Sequence, residues 1–139
     1  MALTHEFSNI PVGFDGEPYL NVKKKITVPD EIIQYIGDSL QWVSSKWNNS
    51  KKKKGISYYG FSVIEGAEIR RLGGIVRGWK ELFELAPEDF YLTGSFQPDE
   101  GRYEKNKINR QELMKILDSW IQLCETALEK GELILHEGI

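Results

Sequence analysis

Residues that carry out catalysis are scarce in this chain of 139 residues. It contains two histidines, His5 and His136, both near the chain ends, and one cysteine, Cys124. We recognise no Ser/His/Asp set, no metal-ligand spacing and no glycine-rich phosphate loop, so the sequence predicts no enzyme, no metal site and no cofactor. An enzyme would require one of the histidines to fold into a cleft beside a carboxylate, with a shifted pKa.

Long apolar runs are also absent. No run approaches the roughly 18 residues of a membrane-spanning helix, and the N-terminal residues lack the basic flank and apolar stretch of a signal peptide. A single cysteine excludes a disulfide within the chain and is typical of a reducing compartment. We therefore expect a cytoplasmic protein that does not contact a membrane.

The net charge of the chain limits the kinds of partner that it can attract. The formal net charge is −3 and the isoelectric point is near 5.5, so general attraction to nucleic acid is not expected. Two lysine runs, residues 23–25 and 51–54, are the exceptions. No recognition helix or zinc-finger pattern accompanies them, and we interpret them as a solvated strand edge and a solvated loop.

The pattern of apolar residues predicts one globular domain, residues 1–139, of the α+β class. Segments with period-2 alternation indicate strands and segments with helical spacing indicate helices. The predicted segments are a hairpin of residues 7–14 and 19–28 with its turn at Asp15-Gly16, a helix over 29–47, a strand over 55–65, a helix over 67–85, a hairpin of residues 90–97 and 102–108, and a helix over 110–130.

The predicted order is therefore ββαβαββα, with three amphipathic helices packed on one face of a mostly antiparallel sheet. The tail Leu133-Ile134-Leu135 could add a last short strand. Gly73, Gly74 and Gly78 lie inside the second helix, which leaves two interpretations open. Either the helix kinks there, or another element packs closely against its backbone.

Aromatic residues are more abundant than a core of this size requires, with Trp 4, Tyr 6 and Phe 6. Strand alternation places Phe90, Leu92 and Phe96 on one face and Tyr91 on the polar face, where a large amphipathic ring suits an interface. Nearby carboxylates would favour a basic partner. The candidate partner-binding residues are Tyr91, Asp99, Glu100, Tyr103 and Glu104. The alternative is that the rings belong to the core and the carboxylates form a solvated rim.

The C-terminal half carries a family resemblance. The segments concerned are Trp79-Lys80-Glu81-Leu82-Phe83, the predicted strand over 90–96, the acidic turn before Tyr103, and residues 135–139. In these segments the chain resembles small immunity proteins of bacterial polymorphic-toxin systems. The resemblance implies a compact cytoplasmic domain that binds and blocks a cognate toxin domain, and it assigns no functional residue by position. We therefore expect a non-enzymatic inhibitor that occludes a toxin or nuclease domain, and the carboxylates favour a basic one.

Two other functions stay open. A small-molecule or regulatory-ligand domain would have a pocket between the sheet and the glycine-rich second helix, lined by Tyr59, Phe61 and Trp79. An assembly protein would form a symmetric oligomer, such as a homodimer through Tyr35 and Trp42.

Overall fold

The computed structural model describes residues 3–11, 25–47 and 51–139. Within these ranges the chain forms eight strands and four helices, in the order β1 (Thr4–Ile10), β2 (Lys25–Pro29), α1 (Asp30–Tyr35), α2 (Gly37–Leu40), β3 (Ser44–Trp47), β4 (Lys51–Lys54), β5 (Phe61–Ile64), α3 (Ala67–Phe83), β6 (Asp89–Gln97), β7 (Arg102–Asn109), α4 (Arg110–Lys130) and β8 (Leu133–Glu137). The predicted α+β class is confirmed, although the helices number four where three were expected.

Six strands form one antiparallel sheet in the order β2-β1-β8-β5-β3-β4. The tail that we considered an optional last strand is β8, and it lies between β1 and β5. Ile134, Leu135 and His136 are fully buried. A strand buried on both faces reads as a continuous apolar run rather than as an alternation, which explains the sequence of this tail. The turn predicted at Asp15-Gly16 lies outside the described residues.

The helix predicted over residues 29–47 is wrong in its second half. The helix is interrupted after α1, a single turn follows as α2, and Ser44–Trp47 is strand β3. The predicted apolar positions Ile32, Ile36 and Leu40 are indeed buried, but pairing of β3 with β4 and β5 overrides the helical spacing beyond them.

The lysine run Lys51–Lys54, expected as a loop, is the edge strand β4. All of its side chains are exposed. Charged side chains on an edge discourage another chain from pairing there, so the run is compatible with a strand in this position.

Helices α3 and α4 pack against each other, and the core lies between them and the sheet. The fully buried ring of Trp120 lies with its centroid 4.5 Å from that of Phe7 on β1. Both predicted ends of α4 are confirmed. The Asn109 side chain accepts the N–H of Glu112 at 3.1 Å, and Gly131 ends the helix at φ +66°.

Strands β6 and β7 form a separate two-stranded hairpin. Only its base enters the core, through Leu92 and Ile108, while the Phe90 ring stacks on Phe83 of α3 with centroids 5.9 Å apart. The backbone N–H of Arg110 donates to the Glu88 carbonyl at 2.8 Å and closes the base of the hairpin.

Helix α3 runs without a break through its glycines, which settles the two interpretations left open above. A Cβ added to Gly73 would lie 3.4 Å from the Cβ of Cys124 on α4, so this glycine permits close helix packing. A Cβ added to Gly74 or Gly78 would meet no atom within 4 Å. Helix α4 therefore lies close to the backbone of α3 at the first of the three positions only, and the 3.4 Å distance there is an ordinary van der Waals contact that leaves room for a single added Cβ.

This difference predicts opposite effects on stability. We expect Gly74→Ala and Gly78→Ala each to raise the free energy of unfolding by about 1 kcal/mol, because alanine loses less backbone entropy in a helix and no contact is disturbed. Gly73→Val should lower it by about 1–3 kcal/mol by crowding Cys124. Urea denaturation followed by circular dichroism measures all three, and a loss of stability in Gly74→Ala would contradict the packing described.

Candidate functional site

The β6–β7 hairpin presents an aromatic surface. Directly paired residues share a face of a hairpin, and Phe96 pairs with Tyr103. A bulge between Thr93 and Phe96 inserts an extra residue. The bulge therefore moves Phe96 from the face of Leu92, where strict alternation placed it, to the face of Tyr91. We call this face, made of Tyr91, Thr93, Phe96, Tyr103, Lys105 and Lys107, the outer face.

Three rings of the outer face are exposed. Tyr91 is 63 %, Phe96 49 % and Tyr103 56 % exposed. The rings of Phe96 and Tyr103 meet edge to face, with centroids 5.1 Å apart. These three rings are therefore not part of the core, and their role in an interface stays a prediction. Sequence alternation placed Tyr91 on this face, and Tyr103 was a candidate from its position after the acidic turn. Alternation placed Phe96 on the wrong face, because it does not detect the bulge.

The predicted carboxylates occupy two places. Asp99 and Glu100 lie in the exposed turn at the tip of the hairpin. Glu104 lies on the opposite face, since residues 103 and 104 alternate, and its carboxylate accepts a hydrogen bond from Gln97 at 3.4 Å. The structure thus brings the rings together, puts two carboxylates at the tip and separates Glu104 from both.

Lysines flank the rings on the outer face. Lys107 pairs with Tyr91 and Lys105 with Thr93. The Lys105 ammonium donates to the Thr93 hydroxyl at 2.7 Å. The surface is therefore basic beside the rings. The tip carries Asp99 and Glu100, of which Glu100 pairs with Arg102 at 3.1 Å, whereas the sequence suggested acidic groups around all the rings.

A second group of polar side chains runs from the interior to the surface, and the sequence did not predict it. Ser62, His136, His5 and Asp30 are buried, Tyr58 is half-buried and Gln34 is exposed. Strands β1, β8 and β5, helix α1 and the segment before β5 contribute to it. We call it the buried polar chain, and its members are Ser62, His136, His5, Asp30, Tyr58 and Gln34.

The contacts of this chain run in sequence from Ser62 to Asp30. Ser62 Oγ lies 3.3 Å from His136 Nδ1, His136 Nε2 lies 2.9 Å from His5 Nδ1, and His5 Nε2 lies 2.9 Å from Asp30 Oδ1. The Tyr58 hydroxyl also donates to Asp30. Sheet pairing creates this alignment, because Phe7 and Ser62 both pair with His136, on its two sides.

Every hydrogen bond along this row of contacts can form when both imidazoles are neutral and Asp30 is ionised. With Asp30 ionised, His5 donates from Nε2 and accepts at Nδ1 from His136. His136 then accepts at its own Nδ1 from the Ser62 hydroxyl. The hydrogen-bond network itself assigns these tautomers.

The environment shifts three of the pKa values. Burial by itself would raise the pKa of Asp30, but hydrogen bonds from Tyr58, His5 and Gln34 hold it below its ordinary value. Burial, aided by the hydrogen bond to Asp30, raises the pKa of Tyr58 to about 12. Burial, together with the neighbouring His5, lowers the pKa of His136 to about 3.

The residue types of the buried polar chain are those of a hydrolytic site, but their position is different. Ser62, His136 and His5 are each fully buried, and Ser62 Oγ already accepts the backbone N–H of Ser57 at 2.7 Å. A histidine thus lies beside a carboxylate, as the enzyme hypothesis required, yet in the interior and not in a cleft. The arrangement links strands and helix, and its reactive atoms do not face solvent.

A cavity of about 420 Å³ lies between α1, α2 and the segment before β5. Tyr58 and Gln34, both members of the buried polar chain, form part of its wall. This cavity differs from the pocket that the sequence suggested beside α3. Tyr59 lines it as expected, but Phe61 and Trp79 do not. Trp79 lines a separate shallow cleft of about 210 Å³ with the exposed Tyr35 and Trp42, whose role in a homodimer stays a prediction.

Within the described ranges, we find no cluster of three or more histidine, cysteine or carboxylate residues placed to hold a metal ion. No described helix is long and apolar enough to cross a membrane. No family model matches the chain, and no curated protein and no solved structure matches it significantly.

Burial of His136 predicts a loss of stability on acidification. Its pKa is lower in the folded protein than the ordinary 6.5, so below pH 6.5 the unfolded chain binds a proton that the folded chain does not. Stability is then present above pH 6.5 and is lost as the pH falls. We expect the free energy of unfolding to drop by about 1.4 kcal/mol between pH 7.5 and 5.5.

Burial raises the pKa of Glu137 above its ordinary value of 4.5. At pH values above 4.5 the folded chain therefore binds a proton at Glu137 more readily than the unfolded chain does, which adds stability as the pH falls and opposes the effect of His136. The measurement is therefore best stopped at pH 5.5. Urea denaturation at each pH should show the drop in the wild type and a flatter profile in His136→Gln. Proton NMR of the folded wild type gives an independent check, because a His136 ring signal that titrates near pH 6.5 would refute the prediction.

Proposed function

We propose that this chain is a binding protein that docks on a protein partner through the outer face and tip of the β6–β7 hairpin, and that the partner is a toxin or nuclease domain that it blocks. The observation that carries the proposal is the exposure of Tyr91, Phe96 and Tyr103 together on one face of a hairpin outside the main sheet.

Exposed rings of this kind have a cost in a protein that acts alone. Each Å² of apolar surface that stays in water lacks the roughly 25 cal/mol of stabilisation that its burial would give. Contiguous apolar patches are therefore typical of interaction sites. Aromatic rings are also the anchors that contribute most to binding at interfaces. The pairing of Phe96 with Tyr103 fixes both rings before a partner arrives, which reduces the entropy that binding must overcome.

The charges of the hairpin indicate what the partner presents. The Asp99 and Glu100 carboxylates at the tip favour a cationic cleft, and Lys105 and Lys107 beside the rings favour acceptors at its rim. A cleft that binds nucleic acid carries lysine and arginine side chains that neutralise phosphates. A hairpin with carboxylates at its tip suits insertion into such a cleft. The resemblance to immunity proteins supports a toxin as the protein that contains the cleft.

Affinity capture with the purified chain, from extracts of its native source, should identify the partner, and titration of the isolated partner should then give its affinity. We expect Tyr103→Ala and Tyr91→Ala each to weaken binding by tenfold or more, or about 1.4 kcal/mol, because each removes a ring at the contact. Trp42→Ala is the matched control, since its ring is exposed on a different part of the chain.

The tip offers a sharper charge test. Glu100→Lys and Glu104→Lys change the net charge equally, but only Glu100 lies at the tip, while Glu104 lies on the face opposite the rings. We expect Glu100→Lys to weaken binding and to reduce its salt dependence, with Glu104→Lys close to the wild type. Equal effects of the two reversals, or no effect of the ring variants, would reject the proposed surface.

A further inference from the structure

The cavity between α1, α2 and the segment before β5 has rigid aromatic walls. The Trp47 indole N–H donates to Ser45 Oγ at 3.0 Å and to the Gly55 carbonyl at 3.1 Å, which fixes the plane of the ring. The Tyr58 ring is held by its hydrogen bond to Asp30. Walls of this kind suit a planar ligand, because stacking on them requires no reorganisation.

Unpaired polar groups line the same cavity. Ser57 is only 7 % exposed, yet its hydroxyl makes no hydrogen bond with any described residue. The Gln41 side-chain amide is likewise unpaired within the described ranges and packs against Gly55, where an added Cβ would lie 3.0 Å from its nitrogen. The Ser57 hydroxyl reaches the cavity and Gln41 is exposed, so both groups are accessible to water. A ligand in the cavity can displace that water and form hydrogen bonds with both groups.

No charged side chain lines the cavity among the described residues, although the Lys53 ammonium lies 5.1 Å from the centroid of the Trp47 ring. The remaining wall is aliphatic, from Ile33, Leu40 and Ile56. A charged ligand would therefore lose its hydration without gaining an ion pair. The volume of about 420 Å³ lies within the roughly 300–1,000 Å³ range of small-molecule sites.

We propose that this cavity binds a neutral, planar heterocycle with hydrogen-bond donors and acceptors at its edge, the class to which nucleobases belong. Its faces contact Trp47 and Tyr58, and its edge pairs with the Gln41 amide and the Ser57 hydroxyl. The site is separate from the outer face of the hairpin and does not depend on the function proposed for it.

Gly37 allows the cavity to be filled without disturbing the core. It lines the cavity, and a Cβ added to it would meet no atom within 4 Å. Gly37→Leu should therefore occupy the site and leave the fold intact. Gly74→Leu is the matched control, since it makes the same change at an open position of α3. Circular dichroism and urea denaturation confirm that both variants are folded.

Binding is measured by NMR titration of the ¹⁵N-labelled chain with adenine, uracil and adenosine. Benzoate and benzylammonium serve as charged planar probes, and cyclohexanol as a neutral non-planar one. We expect the heterocycles to shift the Gln41 side-chain amide and Trp47 indole signals. Gly37→Leu should weaken that binding at least tenfold, and Gly74→Leu should leave it unchanged.

Three results would overturn the proposal. The first is the absence of shifts with every heterocycle up to its solubility limit. The second is binding that Gly37→Leu does not weaken, which would place the ligand elsewhere. The third is binding of the charged or non-planar probes as tight as that of the heterocycles, which would remove the proposed selectivity. A weaker affinity of Ser57→Ala would further support the pairing at the ligand edge.

Discussion

The hydrogen bond between His5 and His136 joins the two ends of the chain, and much of the structure depends on it. It links β1 to β8, the strand at the centre of the sheet, and through Asp30 it fixes the start of α1. Burial of polar groups is unfavourable unless each finds a partner. Here each imidazole nitrogen has one, so the chain ends are held by a network that is satisfied only when all its members are in place.

That dependence explains why the interior tolerates an ionised carboxylate. Asp30 accepts hydrogen bonds from Tyr58, His5 and Gln34, and these replace the water that it loses. Removing one partner leaves the buried carboxylate with an unsatisfied acceptor, which costs about 1–3 kcal/mol. The network therefore specifies the register of β1 against β8, because a slip by one residue would move His5 to the opposite face.

Local signals predicted part of this architecture. Asn109 and Gly131 set the ends of α4 from its own sequence, and the alternation around Tyr91 predicted β6. Contacts between distant segments decided the rest. The end of the first helix depends on the pairing of β3 with β5, and the exposure of Phe96 depends on a bulge.

The buried polar chain shows why a candidate site can escape sequence analysis. His5 and His136 are 131 residues apart, and only the strand order, with β8 beside β1, makes them neighbours. Each histidine does have a weak local signal, since Phe7 follows His5 and Ile134 precedes His136 at the two-residue spacing of a buried strand face. That spacing predicts burial of each histidine but not its partner, because pairing is a property of the sheet.

Gln34 connects the three regions on which the proposals depend. Its amide nitrogen donates to Asp30 at 2.7 Å, its amide oxygen lies 3.5 Å from the Ser95 hydroxyl at the hairpin bulge, and its side chain lines the cavity. Any occupant of the cavity that moves this amide changes the hydrogen bonds of Asp30 and Ser95 together. If two sites are coupled through such a residue, the coupling free energy is the same in both directions. The cavity, the hairpin and the buried polar chain are therefore parts of one connected structure, although each has its own chemistry.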